Sequence, residues 1–175
     1  MHYAFDAWMT REFPGCPFER FADDAIVHCT TLAKAEHVLG RIAVRMGEVG
    51  LSLHPTKTRI VYCKDDRRRG EHEHTAFTFL GYEFRARGAR SRTGKRFVGF
   101  LPAISPKALK AKSERLREMR IDRRTDLTLD DLARWLNPIV GGWMGYYGRY
   151  YRSELLPLLR RVSYYLRRWA SVLSG

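Results

Sequence analysis

Two adjacent carboxylates, Asp23 and Asp24, stand in the stretch FERFADDAIVHC, between two short runs that are otherwise apolar. Carboxylate oxygens are ligands of Mg²⁺, and paired carboxylates hold the metal ions that stabilise the attacking and leaving oxygens in phosphoryl transfer. Aspartates are also ordinary turn formers, because the side chain bonds its own backbone. Taken alone, the pair leaves both a metal site and a plain turn open.

The chain has the charge of a protein that binds a polyanion. It carries 32 Lys+Arg against 19 Asp+Glu, a net charge of +13, while 45% of its residues are apolar. A folded, strongly basic protein is typical of nucleic-acid binding, although a merely solvated basic surface is the alternative. Between residues 84 and 106 the sequence has no acid and six basic residues, Arg85, Arg87, Arg90, Arg92, Lys95 and Arg96.

The second half of the chain mixes basic and aromatic residues. Aromatic rings stack on unpaired bases while arginines bind phosphates, a combination that suits structured RNA with bulges and loops. The alternative is that the aromatic residues form a helical core. The candidates here are Lys107, Lys110, Lys112, Tyr146, Tyr147, Arg149, Arg160, Arg161, Arg167 and Arg168.

Cysteine and histidine usage predicts neither a disulfide scaffold nor a zinc site. The three cysteines show no CxxC spacing, which favours free thiols in a reducing cytoplasm. His72 and His74 alternate with glutamates in a charged loop, where solvent exposure is the better interpretation. No apolar run approaches the roughly 20 residues that cross a bilayer, so we expect a cytoplasmic protein without a membrane partner.

Strand and helix signals alternate in the first 103 residues. The pattern predicts a helix over residues 2–12, a β-hairpin with the aspartates at its tip, and a helix over 32–49 that ends at Gly50. The stretch GLSLHPTKTRIVYC, residues 50–63, then predicts a turn followed by a β-rich run. The stretches FTFLGYEF and RFVGFLPAI then predict strands that pair across a basic turn.

From Ser105 onward the signals are helical. Ser105 is a predicted N-cap, Thr128 and Asp131 form a second cap, and an interruption is expected near Pro138. A last amphipathic helix spans 153–173. The sequence therefore predicts an α+β domain over 1–103 and a small all-α bundle over 104–175.

The order of three motifs carries a family resemblance. FADD, GLSLHPTKTRI and FTFLGYEF together resemble the closing part of a reverse-transcriptase palm. HYAFDAWMTREFP before them and WLNPIVGGWMGYYGRYY after them resemble the reverse transcriptases encoded by group II introns, whose thumb region is the maturase domain. The resemblance implies a partial palm followed by a helical thumb, with intron RNA and an RNA/DNA primer-template as partners.

The same resemblance implies roles for particular residues. Asp23 matches the metal-binding aspartate, and Asp24 matches the neighbour that supports the site. Lys57 matches the lysine near the phosphates of the incoming nucleotide, with a solvated turn lysine as the alternative. Phe21 stands where the family usually has tyrosine. The primer-grip turn, whose backbone would hold the primer strand, matches Phe79, Leu80 and Gly81.

A complete palm needs more than these residues. Two-metal polymerases take at least one further aspartate from an earlier palm strand, and they have fingers that precede it. Since the sequence begins one helix ahead of the aspartates, we expect loose or absent Mg²⁺ binding and no polymerisation by this polypeptide alone. Two alternatives stay open: a subunit of a split RNA-directed DNA polymerase completed by a separate N-terminal chain, and a non-functional remnant. No endonuclease activity is expected.

Overall fold

The computed structural model describes residues 1–68 and 70–173. The chain packs as two compact units, Met1–Tyr62 and Cys63–Gly175. The units do not coincide with the predicted division near Ala103, because the second sheet packs with the helices that follow it. Packing units and family domains need not coincide, so the division into 1–103 and 104–175 stays a prediction.

The first unit contains helices around a short hairpin. A π-helical turn, His2–Asp6, leads into α1, Ala7–Glu12, and the paired strands β1, Phe18–Phe21, and β2, Asp24–Val27, precede α2, Leu32–Glu48. The hydroxyl of Thr31 caps α2 by accepting a hydrogen bond from the Lys34 amide. The core residues are Phe5, Trp8, Met9, Cys16, Val38, Ile42 and Met46. The predicted helix, hairpin and α2 are therefore confirmed.

The β-rich run that was predicted to follow a turn within residues 50–63 is wrong, although a turn is present. This segment has no strand in the structure; its regular feature is a turn over 55–57, where the Thr58 amide donates to the His54 carbonyl at 3.0 Å. Strands are stabilised by a neighbouring strand that completes their hydrogen bonds, and β1 and β2 pair only with each other in the described part of the chain. β-prone side chains therefore stay in an irregular segment here.

The second unit begins with a three-stranded antiparallel sheet. Its strands are β3, Ala76–Phe79, β4, Tyr82–Arg90, and β5, Arg96–Ile104, in the order β3-β4-β5. The register pairs Phe79 with Tyr82 across the first turn and Arg90 with Arg96 across the second. The predicted pairing across the basic turn is confirmed for β4 and β5, but FTFLGYEF is not the single strand that its pattern predicts, because the turn at Leu80 and Gly81 divides it into β3 and the start of β4.

Three α-helices complete the second unit. They are α3, Pro106–Glu118, α4, Leu129–Tyr147, and α5, Leu156–Leu173, with 3-10 turns at Ile121–Arg123 and Arg152–Leu155. The predicted caps at Ser105 and Thr128 are present, and hydrogen bonds from Thr128 hold the pKa of Asp131 below its ordinary value. The core lies between helices and sheet, and it includes Tyr82, Ile104, Leu116, Ile121, Leu132, Leu136, Trp143, Leu155, Leu158 and Trp169.

The expected interruption of α4 does not occur. The helix continues through Pro138 and the two glycines that follow. A proline inside a helix removes one backbone hydrogen bond, but packing of an apolar face supplies most of a helix's stability in a protein. Leu132, Leu136 and Trp143 bury such a face on both sides of Pro138, which keeps the helix continuous.

The molecule is thus an α+β protein with two small antiparallel sheets. Among residues 1–68 and 70–173, no helix combines the length and the apolar character that a membrane span requires.

Candidate metal-binding hairpin and nucleic-acid surface

The two sequence-predicted metal ligands lie at the tip of the β1–β2 hairpin, residues 18–27, which we name the aspartate hairpin. The turn is formed by Ala22 and Asp23, and Asp24 is the first residue of β2, paired with Phe21. Ala22 has φ of 54°, in the left-handed region. Both carboxylates are exposed, and neither forms an ion pair with any described residue. They are therefore open to a ligand.

The carboxylate pair fits the oxygen chemistry of Mg²⁺ but supplies only part of a coordination shell. The ion takes near-octahedral oxygen coordination and usually keeps several waters. Within residues 1–68 and 70–173, no three His, Cys, Asp or Glu side chains gather closely enough to hold a metal ion. Asp23 and Asp24 would hold one ion together with waters, substrate phosphates or a carboxylate from elsewhere.

A partly buried connection that the sequence did not reveal links this hairpin to the first helical segment. Arg20 donates from Nε to Asp6 Oδ1 at 2.5 Å and from Nη2 to Asp6 Oδ2 at 2.6 Å. Its Nη1 donates to the carbonyl of Ala22 at 2.6 Å, directly before Asp23. The Arg20 hydrogen bonds hold the pKa of Asp6 below its ordinary value, against the opposite effect of partial burial. One guanidinium thus joins the first helical segment to the turn.

Lys57 lies exposed in the turn over 55–57. The Nδ1 atom of His54 lies 3.3 Å from the amide nitrogen of Thr56 and accepts its hydrogen bond, which stabilises the turn. Lys57 forms no ion pair with Asp23 or Asp24 in the described part of the chain. Its predicted role at nucleotide phosphates stays a prediction.

The primer-grip turn, residues 79–81, is held tightly by the second unit. Leu80 and Gly81 both have positive φ, 50° and 79°, as a two-residue type I′ turn requires. The Leu80 carbonyl accepts from the Tyr146 hydroxyl at 2.9 Å, and the Gly81 carbonyl accepts from the Ser105 amide at 2.9 Å. A Cβ on Gly81 would lie 2.9 Å from the Tyr147 hydroxyl oxygen.

A cluster of tyrosines surrounds this turn. The Tyr82 hydroxyl donates to the Tyr146 carbonyl. The ring centroid of Tyr82 lies 5.2 Å from the ring centroid of Tyr146 and 5.5 Å from that of Tyr147. Burial, and then the neighbouring tyrosines, raise the pKa of Tyr82, so its hydroxyl stays a neutral donor at physiological pH. α4 therefore fixes the turn that the family resemblance assigns to the primer.

Two of the predicted nucleic-acid contacts must be corrected. Arg87 is 6% exposed, because its guanidinium donates to Glu83 at 3.0 Å and to Glu154 at 3.1 Å. Tyr147 is 8% exposed and belongs to the core. Because the Arg87 guanidinium is bound to Glu83 and Glu154 and the Tyr147 ring is buried, neither side chain is exposed for contact with RNA.

The other predicted cations are at or near the surface. Lys112 is half-buried, Arg85 pairs with Glu83 at 2.8 Å, Lys110 approaches Glu114 at 4.0 Å, and Arg168 pairs with Asp122 at 3.1 Å. Tyr146 is 47% exposed. The exposed cations that form no ion pair with a described residue are Arg90, Arg92, Lys95, Arg96, Lys107, Arg149, Arg160, Arg161 and Arg167.

The sequence matches two family models. Residues 1–84 match the family model described as reverse transcriptase (RNA-dependent DNA polymerase), and residues 109–172 match the model described as group II intron, maturase-specific domain. A comparison with curated proteins finds no match. The chain carries reverse-transcriptase sequence followed by a maturase-specific domain. It belongs to the group II intron-encoded reverse transcriptase/maturase family.

Proposed function

We propose that this chain binds group II intron RNA through its exposed cations. The observation that carries the proposal is the tip of the β4–β5 hairpin, residues 90–96, which we name the basic tip. Arg90, Arg92, Lys95 and Arg96 are all exposed there, and none forms an ion pair with a described residue. Cations without internal acidic partners are available to phosphates, and a hairpin tip lies along a phosphate backbone easily.

Salt dependence of binding tests this proposal. A protein that neutralises about six phosphates loses on the order of a thousandfold in affinity between roughly 50 and 200 mM salt, because condensed counterions are released on binding. We expect the chain to show this steep slope with intron RNA. A flat response, or no binding, would reject the proposal.

Matched triple variants locate the binding surface. Arg92→Gln, Lys95→Gln and Arg96→Gln together should lower the salt slope by about two to three, since each lost phosphate contact lowers it by nearly one. The control neutralises three cations that already pair with acids, Arg11, Arg115 and Arg134. That control should leave binding nearly unchanged. Equal losses in both triples would show that only net charge matters.

We also propose that polymerisation requires carboxylates beyond Asp23 and Asp24. The exposed carboxylate pair supports this, because the described residues offer it no third metal-binding side chain. When bound, Mg²⁺ would supply charge stabilisation to phosphoryl oxygens. Asp23 and Asp24 would hold the ion, Lys57 would offset phosphate charge, and the primer-grip turn would position the primer strand. The chain alone should not extend a primer.

Two observations favour the split-polymerase alternative. Phe21, beside the aspartates, is 62% exposed, and the aspartate hairpin is a two-stranded sheet with both edges open to further pairing. Mixing this chain with a second chain that carries fingers and an early palm aspartate should give Mg²⁺-dependent primer extension. Asp23→Ala should abolish it. Equal extension with Ala at position 23 would show that the metal assignment is wrong.

A non-functional remnant is the remaining alternative. Two cores of buried side chains predict cooperative unfolding, which a poorly folding remnant would lack. Calorimetry distinguishes a cooperatively folded protein from a poorly folding remnant. The predicted cytoplasmic location is a separate question, which expression of the tagged chain addresses. Broad, non-cooperative melting together with absent RNA binding would favour the remnant.

A further inference from the structure

An open cleft of about 700 Å³ lies beside the basic tip. Its walls include Arg90, Arg96, Phe97, Val98, Asp66 and Tyr151. Sites for small ligands are typically clefts of roughly 300–1,000 Å³. The cleft therefore has room for a nucleotide, and its walls combine cations, aromatic rings and one carboxylate.

The two arginines of the cleft repel each other. Arg90 and Arg96 stand directly opposite in the register of β4 and β5, both are exposed, and neither pairs with an acid in the described chain. Like charges directly opposite on neighbouring strands are destabilising. An anion bound between the guanidinium groups would relieve that repulsion, and arginine binds phosphate oxygens with two parallel hydrogen bonds.

The aromatic walls are built rather than incidental. Phe97 is 37% exposed, and its Cε2 atom would lie 3.2 Å from a Cβ at Gly99, so the missing side chain allows the ring to lie along the strand. Tyr151 is fixed by its hydroxyl, which donates to the Gly88 carbonyl at 2.6 Å, and by the Arg87 guanidinium 5.4 Å from its ring centroid. Tyr151 is therefore held in place before any ligand arrives, and the Phe97 ring lies beside Gly99 with part of its surface exposed.

We propose that this cleft binds one unpaired nucleotide of RNA, with its phosphate between Arg90 and Arg96 and its base against Phe97. The proposal rests on the proposed RNA binding and adds a preference for unpaired bases. Every base has an aromatic face for stacking, whereas a base inside a duplex presents no face. Asp66, the acidic wall residue, would accept a hydrogen bond from the N–H groups of the base edge.

The experiment compares two labelled RNA hairpins with the full chain at one salt concentration. One hairpin carries a short purine bulge, and the other is fully paired with the same length. We expect the bulged RNA to bind more tightly. Phe97→Leu should weaken binding of the bulged RNA by about tenfold, the loss expected for one stacked base, and should leave the paired RNA unchanged.

Two controls separate stacking from packing and from charge. Phe97→Tyr keeps an aromatic ring and should retain wild-type affinity for the bulged RNA. Heparin, a polyanion without bases, should bind the wild-type chain and Phe97→Leu equally. Melting temperatures of both variants should stay close to that of the wild type, since the side chain of Phe97 is partly exposed.

The outcomes distinguish this proposal from the one it rests on. If the wild-type chain binds both RNAs with equal affinity and Phe97→Leu weakens neither, the cleft does not bind a base, and general RNA binding stands. If Phe97→Tyr loses as much affinity as Phe97→Leu, stacking is not the interaction. If the wild-type chain binds neither RNA, the proposed function fails and the cleft fails with it.

Discussion

The aspartate hairpin and the primer-grip turn are two versions of the same local structure. Each joins two antiparallel strands by two residues, and the first turn residue of each has positive φ, 54° at Ala22 and 50° at Leu80. Their surroundings differ. Asp23 is exposed and forms no ion pair with any described residue. In the primer-grip turn, by contrast, the carbonyls of Leu80 and Gly81 accept hydrogen bonds from Tyr146 and Ser105, which lie far along the chain.

The difference agrees with the two roles proposed for these turns. A turn that offers carboxylates to a metal must leave its side chains unpaired, so its rigidity has to come from the backbone and from the Arg20 hydrogen bonds behind it. A turn that guides a strand by its backbone can be supported by side chains from another element. α4 supplies that support through Tyr146 and Tyr147.

The largest effect is expected at Gly81. Gly81→Ala would place a Cβ 2.9 Å from the hydroxyl oxygen of buried Tyr147, at a φ of 79°. Left-handed φ costs an L-residue about 1–2 kcal/mol, and forcing a packed ring aside costs a further 1–3 kcal/mol or so. We expect a loss of about 3 kcal/mol in the free energy of unfolding, measured by denaturant titration.

Gly94 provides the matched control for this loss. It has nearly the same dihedral, φ of 83°, but a Cβ there would meet nothing within 4 Å. Gly94→Ala should therefore cost only the backbone strain, about 1 kcal/mol. If both variants lose the same free energy, Tyr147 does not support the primer-grip turn.

The second effect contrasts two arginines that contact the same carboxylate. Arg87 and Arg85 both donate to Glu83 Oε2, at 3.0 and 2.8 Å, but the Arg87 side chain is 4% exposed and that of Arg85 is 48% exposed. Breaking a buried ion pair costs more than breaking a solvated one. Because Glu83 and Glu154 remain partly solvated, we expect Arg87→Met to cost about 2 kcal/mol.

Arg85→Met is the control and should cost less than about 1 kcal/mol. Both variants are compared by thermal and chemical unfolding, and by RNA binding at low salt. If the two variants are equally stable and Arg87→Met loses more RNA affinity than Arg85→Met, then Arg87 contacts RNA and is not an internal residue.

The third effect concerns the aspartate hairpin and depends on pH. Arg20→Ala removes the hydrogen bonds that lower the pKa of Asp6, so we expect the melting temperature of the first unit to fall by a few degrees at neutral pH. A carboxyl whose folded pKa is lowered stabilises the fold above its unfolded pKa and loses that contribution as pH falls through the folded value.

The difference between wild type and Arg20→Ala should therefore be constant near neutral pH and shrink only below about pH 3.8, the ordinary pKa of the group. Thermal unfolding monitored by circular dichroism at several pH values measures it. Lys34→Ala serves as a control, because its amine donates to the Gly15 carbonyl at 3.3 Å and forms no ion pair with a carboxylate among the described residues. If the difference in melting temperature between wild type and Arg20→Ala grows as the pH falls, the Asp6–Arg20 ion pair does not stabilise the fold in this way.

Local signals in the sequence predicted the parts of the fold that depend on neighbouring residues. The cap at Ser105 and the capping pair of Thr128 and Asp131 are encoded within three residues, and the structure confirms both. The aspartate hairpin was also predicted from the residue pattern, whereas the turn at Leu80 and Gly81 was predicted only from the family resemblance. The two caps and the aspartate hairpin form from contacts between residues that are close in the sequence, whereas the primer-grip turn is also held by Tyr146 and Ser105.

Contacts between distant residues were not predictable in the same way. Arg87 and Glu154 lie 67 positions apart, and Asp6 and Arg20 lie 14 apart, so no periodic pattern links them. A basic residue in a basic stretch has the same local signal whether it faces solvent or an internal carboxylate. The continuous course of α4 likewise depends on packing around Pro138 that the sequence does not display.

The smallest effect tests whether the two turns carry the same backbone strain. Ala22→Gly and Leu80→Asn each place a residue that tolerates left-handed φ where the present residue is strained. We expect each variant to raise the free energy of unfolding by about 0.5–1 kcal/mol, measured by denaturant titration of the full chain. Ala25→Gly, inside β2, is the control and should destabilise the protein instead.

The two variants need not gain the same free energy, because Leu80 is only 40% exposed and its carbonyl accepts a hydrogen bond from Tyr146. A gain at Ala22 without one at Leu80 would show that packing of the leucine side chain offsets the strain of its turn. Equal gains would instead mean that the helical support acts on the turn's backbone alone.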